Sequence, residues 1–167
     1  MKINPLFSLF LLLVLVSAYP SWAQEKPVPK ASEAQEIEVL GVTLDPASRT
    51  PLVLLRGKQD KRELTMGIGP FEAQAIAIPL QKAKLPRPLT HDLIVHLLAK
   101  LKATLKKVVI VDLRQNTYYA LLYMDFQGTE LTADSRPSDA IALALRVGAP
   151  ILVEEKVFEK AQGLITR

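Results

Sequence analysis

The stretch "DSRPSDAIALALRVGAPILV", residues 134–153, constrains the fold more than any other part of the chain. Pro137 suits the first position of a helix, where its missing N–H costs nothing, and Gly148 suits the position just past the end. Between them Ile141, Ala142, Leu143, Ala144, Leu145 and Val147 go round the helix and leave one narrow polar stripe, Asp139 and Arg146. A helix apolar on nearly every side is a buried helix. The "PILVEE" that follows reads as a short buried strand. Five polar residues, Asp134, Ser135, Arg136, Ser138 and Asp139, crowd the mouth of this helix. Either they cap it, a carboxylate there being worth ~0.3–1 kcal/mol against the helix dipole, or they line a site. The stripe itself must face water, a pocket or a partner.

The elements before it supply what can cover such a helix. Three strand-like runs, "IEVLGVTLD", "PLVLLR" and "RELTMGIG", are separated by turn residues and predict an antiparallel meander. "GPFEAQAIAIPLQKAK" changes to helical period until Pro79 disturbs or ends it. "THDLIVHLLAKLKATL" places Leu93, Ile94, Leu97, Leu98, Leu101 and Leu105 at helical spacing with Thr90 as N-cap. "KKVVIVDLRQNTYYALLYMDFQGTELTAD" alternates like strands turned at "RQN" and at "QGT". A closing turn of helix is expected in "KVFEKAQG". Strands first, helices interspersed and a strand–helix–strand end imply an α+β domain around a mixed sheet.

The chain begins with Lys2, an apolar run over residues 6–16 and "SWAQ", with Ser21 and Ala23 at the −3 and −1 positions for cleavage before Gln24. Residues 1–23 are therefore expected to be a signal peptide, and the protein exported, periplasmic or secreted. The run is shorter than the ~20 residues of a membrane span, and no second spanning stretch follows, so no membrane span is expected after cleavage. Residues 24–36, with two prolines and no apolar period, read as a flexible linker, residues 37–160 as one domain, and residues 161–167 as a tail. There is no cysteine, which excludes disulfides and thiolate metal sites. The net charge of +4 is scattered over "KQDKRE", "QKAKLPR" and "KLKATLKK", which speaks against a clustered nucleic-acid track.

"PFEAQAIAIPLQKAKLPRPLTHDL", "NTYYALL" and "DSRPSDAIALALRVGAPILVEE" resemble, in this order, the bifunctional nuclease domain family. The resemblance implies an α+β domain that self-associates as a homo-oligomer, with the DNase and RNase activity attributed to plant members. Carried over residue by residue, the family's polar positions fall on Glu72, Arg87, Thr90, His91, Asp92, Asn116, Asp134, Ser135, Arg136, Ser138 and Asp139.

Phosphodiester hydrolysis uses carboxylates that gather a metal ion, a histidine base with a cationic stabiliser, or both. Glu72, Asp134 and Asp139 can supply oxygens, Asp134 and Asp139 being the expected ligands of Mg²⁺ or Mn²⁺. His91 is the candidate base, and Arg136 the candidate phosphate-binding residue, aided by the free N–H groups of the helix start. Arg87, Ser135 and Ser138 complete the expected substrate-binding set. His91 and His96 stand about 140° apart on an ideal helix, too far round to share one metal. Against these roles stand plain structural ones. His91 and Asp92 would serve as first-turn capping residues, His96 as a partner of Asp92, Asp134 and Arg136 as an ion pair at the strand-to-helix corner, and Tyr119 and Tyr123 as packing groups rather than base-stacking platforms. The whole motif would then buttress a subunit interface or an anionic ligand pocket in a non-catalytic binding or assembly module. Mass spectrometry of the protein from its native host is expected to find Gln24 at the N-terminus; an intact Met1 would remove the export reading.

Overall fold

The computed structural model describes residues 34–165. The signal expected over residues 1–23, and the linker up to residue 33, lie outside the described residues. In chain order the elements are β1 Ala34–Leu44, β2 Pro51–Gly57, β3 Glu63–Gly67, α1 Pro70–Leu80, α2 Thr90–Lys100, β4 Ala103–Arg114, β5 Thr117–Phe126, β6 Thr129–Ser135, α3 Pro137–Val147, β7 Ile151–Glu154 and α4 Glu155–Ile165. The protein is a single α+β domain built on one seven-stranded mixed sheet of order β3-β2-β1-β7-β4-β5-β6. Two antiparallel meanders, β1–β2–β3 and β4–β5–β6, are joined by β7, which runs antiparallel to β1 and parallel to β4.

Turn chemistry sets both hairpins of the second meander. Gln115 and Asn116 have φ of 48° and 60°, and Gln127 and Gly128 have 53° and 85°. Positive φ at both central residues matches the right-handed twist of the flanking strands. β6 then leads through α3 back to the central strand β7, three strands in from the edge, and this crossover lays α3 over β4 and β5 with α1 and α2 beside it. The core forms where these layers meet. Val53, Leu55, Val108, Ile110, Ala120 and Val153 of the sheet are closed to solvent, as are Ile76 of α1 and Ala140, Ile141, Ala142 and Ala144 of α3. Gly148 ends α3 with φ 71°, which only glycine adopts at little cost.

Three boundaries differ from expectation. β1 starts at Ala34, inside the span read as linker, because Ala34, Gln35 and Glu36 pair with Glu154, Val153 and Leu152 of β7. α2 stops at Lys100 instead of running to Leu105; Lys102 takes φ 58°, and Leu105 is buried as a residue of β4. α4 continues to Ile165, through most of the expected tail. α2 also buries none of its residues, and Leu93, Leu97 and Leu101 are more than half exposed. Among the described residues no helix is long and apolar enough to cross a membrane.

The helical layer is tied by Arg146, whose side chain is only 6% exposed. Its Nε donates to Asp92 Oδ1 of α2 at 2.6 Å, and its Nη1 donates to the carbonyls of Ala75 in α1 and Ala142 in α3 at 2.7 and 2.8 Å. One guanidinium thus touches three helices. Replacing it by alanine, Arg146→Ala, leaves a carboxylate and a carbonyl without their donor and is expected to cost about 3 kcal/mol in chemical denaturation, the low end for a broken buried pair because Asp92 keeps some solvent. A cost near zero would show that the helices are held by apolar packing alone.

Candidate active site

Four of the expected residues meet at the N-terminal end of α3. Arg136, the N-cap residue, makes no side-chain cap to its own helix. Its Nε donates to Asp139 Oδ2 at 2.7 Å and its Nη2 to Asp139 Oδ1 at 3.0 Å, a two-pronged contact across one turn. Its Nη1 donates to Glu72 Oε1 of α1 at 2.7 Å. His91, in the first turn of α2, meets Asp139 Oδ1 through Nε2 at 3.0 Å. Each helix contributes from its first turn, so the three N-termini converge. Glu72 can fold back because Gly69 lacks a side chain; a Cβ there would collide with the Glu72 carboxylate.

Charge is held firmly here. Burial opposes ionisation of Asp139, but the hydrogen bonds from Arg136 and His91 outweigh it and hold the carboxyl below its usual 3.8. Asp139 and Glu72 together keep Arg136 protonated beyond its ordinary range. With its side chain 65% exposed, Arg136 nevertheless presents an open edge to solvent. Three of its five N–H donors point at the two carboxylates and two remain. A groove of ≈ 270 Å³ runs past this edge, lined by Phe71, Leu89, Thr90, His91, Arg136 and Asp139 among others. A neighbouring groove of ≈ 260 Å³ shares Glu72 and Arg136 and adds Asn116 and Ser138.

Other expected residues are placed elsewhere. Asp134 is exposed on β6, opposite Leu121, and makes no hydrogen bond or ion pair among the described residues, so the corner pair with Arg136 does not form. Ser135 Oγ donates to the Arg136 carbonyl, and Ser138 is buried. Arg87 lines a separate groove with Asp92, His96 and Arg146. Asp92 accepts the Leu89 N–H at 2.8 Å, a capping role as expected, but its charged partner is Arg146 rather than His96. Tyr119 and Tyr123 lie beneath Arg114 and Lys107, each cation 4.6 Å from the ring centre. The Arg146 link was missed as a contact to α1 and α2. Its only signal was the seven-residue spacing from Asp139, which puts both charges on one stripe; that stripe faces α1 and α2.

A divalent ion does not fit the residues as they stand. Both Asp139 oxygens and Glu72 Oε1 are committed to Arg136 and His91, leaving Glu72 Oε2 uncommitted, and no three acidic, histidine or cysteine side chains converge as a metal site among the described residues. The guanidinium occupies the place between the two carboxylates that a cation would take.

The sequence matches the bifunctional nuclease domain over residues 53–165, from β2 through α4. The chain belongs to the bifunctional nuclease domain family. It is 46% identical over 130 residues to an uncharacterized protein of Mycobacterium tuberculosis (strain CDC 1551 / Oshkosh), covering 78% of this chain and 77% of that one. It is 27% identical over 104 residues to Bifunctional nuclease 1 of Oryza sativa subsp. indica, covering 59% of this chain and 31% of the rice protein.

Asp139 does more than cap a helix, yet its partner Arg136 is largely solvated. Asp139→Asn is therefore expected to cost about 1–2 kcal/mol at neutral pH, the low end of the about 1.5–3 kcal/mol for hydrogen bonds to a charged group once the solvent around Arg136 is discounted, above a simple cap and below a buried pair. Because the folded carboxyl titrates below its usual 3.8, its contribution is complete above that pH and is lost as pH falls through the lower folded value. The gap between wild type and Asp139→Asn in denaturant titrations should close as pH drops below 3.8; a gap unchanged in acid would mean that the carboxylate charge is not what stabilises.

Proposed function

We propose that the protein is an exported hydrolase of DNA or RNA phosphodiester bonds acting at the Glu72, His91, Arg136 and Asp139 cluster. The observation that carries this is the His91–Asp139 contact lying beside an arginine with an open edge. When the imidazole donates Nε2–H to Asp139, Nδ1 is the basic nitrogen. His91 then takes a proton from water as its oxygen attacks phosphorus. The phosphorus–oxygen ester bond breaks, and the leaving oxygen is protonated by the imidazolium or by solvent. Arg136 donates its two remaining N–H groups to the phosphoryl oxygens, while Asp139 and Glu72 fix the guanidinium plane. Phe71, 83% exposed along the same groove, offers a face on which a base stacks.

Metal assistance by Mg²⁺ or Mn²⁺ would first require Arg136 to release Asp139, so the geometry supports the metal-free arrangement better. The second reading, a non-catalytic assembly module, draws on α2: its exposed Leu93, Leu97 and Leu101 suit a homo-oligomer contact, and the Arg136 clasp would then only brace the helices behind it. Hydrolysis of single- and double-stranded DNA and RNA by purified protein, with and without EDTA, separates these readings. The expected result is hydrolysis that survives EDTA and falls about 100-fold or more in His91→Ala. Activity abolished by EDTA would restore the metal, and no activity on any substrate would favour assembly.

A further inference from the structure

α2 buries none of its residues, and its outer face carries a pattern that the cluster at the start of α3 does not use. Five of the nine large apolar side chains exposed among the described residues lie on or beside it. Leu93, Leu97 and Leu101 follow one line along the helix, Leu85 stands in the segment leading into it, and Val147 ends α3. Val147 borders a groove of ≈ 400 Å³ whose other walls include Val95, Leu98 and Lys102. Cations surround these side chains without acids to answer them. Residues 82–102 hold Lys82, Lys84, Arg87, Lys100 and Lys102, all exposed, and a single acid, Asp92, which is bonded to Arg146. None of the five cations forms an ion pair among the described residues.

A contiguous exposed apolar surface marks an interaction site, and its occupant here has to accept positive charge as well as leucine. Nucleic acid meets the charge but not the leucines: residues 82–106 have no aromatic side chain on which a base could stack. A protein partner is recognised chiefly through aromatic and arginine anchors, with lysine and leucine under-represented. A second copy in a two-fold contact would set this surface against itself and bring lysine toward lysine. An anionic lipid surface meets both demands. We infer that α2 is a membrane-surface contact: its leucine line enters the headgroup layer of an anionic bilayer, and the flanking lysines pair with lipid phosphates. Six residues separate His91 from Leu97, which puts them about 120° apart round the helix. The cluster at the start of α3 therefore stays open to solvent while α2 is seated. The contact is peripheral, and it does not depend on hydrolysis at His91.

The test uses the full chain, which has no cysteine, so that one added thiol takes one label. An apolar, environment-sensitive fluorophore is attached in Leu97→Cys, where it stands in for the leucine, and for comparison in Glu159→Cys on α4, which packs on β4 and β7. Mixed phosphatidylglycerol and phosphatidylcholine vesicles are expected to shift the emission at position 97 to the blue, saturably, and to leave position 159 unchanged. Phosphatidylcholine alone should give a far weaker response. Lys100→Ala combined with Lys102→Ala should weaken the apparent Kd about 25-fold, about fivefold for each lysine at an anionic surface, and added salt should act in the same direction. Both lysines are exposed and unpaired, so this variant is expected to fold as wild type does. The inference is overturned if the two positions respond alike, as they would were the chain held only by its apolar residues 6–16. It is also overturned if neutral and anionic vesicles act equally, or if the lysine pair changes nothing. A blue shift that grows with protein concentration in the absence of lipid would overturn it in favour of a second copy; one produced by an oligonucleotide but not by vesicles would do so in favour of nucleic acid.

Discussion

α3 has almost nowhere to carry charge, and the rest of the helical layer is arranged around that constraint. Its buried alanines, Ile141 and Leu143 are packed between the sheet and two other helices, so polar side chains are confined to its start and to one stripe. Asp139 and Arg146 lie two turns apart on that stripe, and each meets α2: Asp139 through His91, Arg146 through Asp92. The same stripe that allows the helix to be buried thus sets the position of α2, and through Ala75 and Glu72 that of α1. Register between the helices is fixed by directional contacts that apolar packing alone would not supply.

The charged groups at the two ends of this helix are solvated differently, and the proposed function rests on the difference. Arg146 is sealed, and a sealed arginine with three oriented acceptors is a structural tie. Arg136 carries a comparable set of contacts with most of its side chain in water. An exposed ion pair contributes little to stability, yet here both carboxylates act on a single guanidinium and leave its outer edge open. That arrangement orients a cation without using it up.

Much of this was legible in the chain itself. Pro137 and Gly148 mark the limits of α3, the alternation in residues 106–126 marks the hairpin, and of the polar residues singled out at the helix starts Glu72, His91, Arg136 and Asp139 do come together. What could not be read is which charges meet. Asp134 and Asp139 look equivalent in sequence, but strand alternation turns one out while the helix turns the other toward His91. Arg146 reads only as the second charge of a stripe that faces water, a pocket or a partner, and only the packing of α1 and α2 against α3 reveals its acceptors. The end of α2 was misjudged because Leu101 and Leu105 continue the helical period, while the left-handed backbone at Lys102 and the pairing of β4 with β5 claim Leu105 for the sheet.

If His91 and Asp139 form one proton-moving unit, removing either should disable it as fully as removing both. The most direct measurement is therefore a double-mutant cycle on the rate of oligonucleotide hydrolysis, with His91→Ala, Asp139→Asn and the double variant compared with wild type. The account predicts that the double variant is no slower than the slower single variant, within about twofold. Losses that multiply across the two positions would contradict it, since the two side chains would then be acting independently.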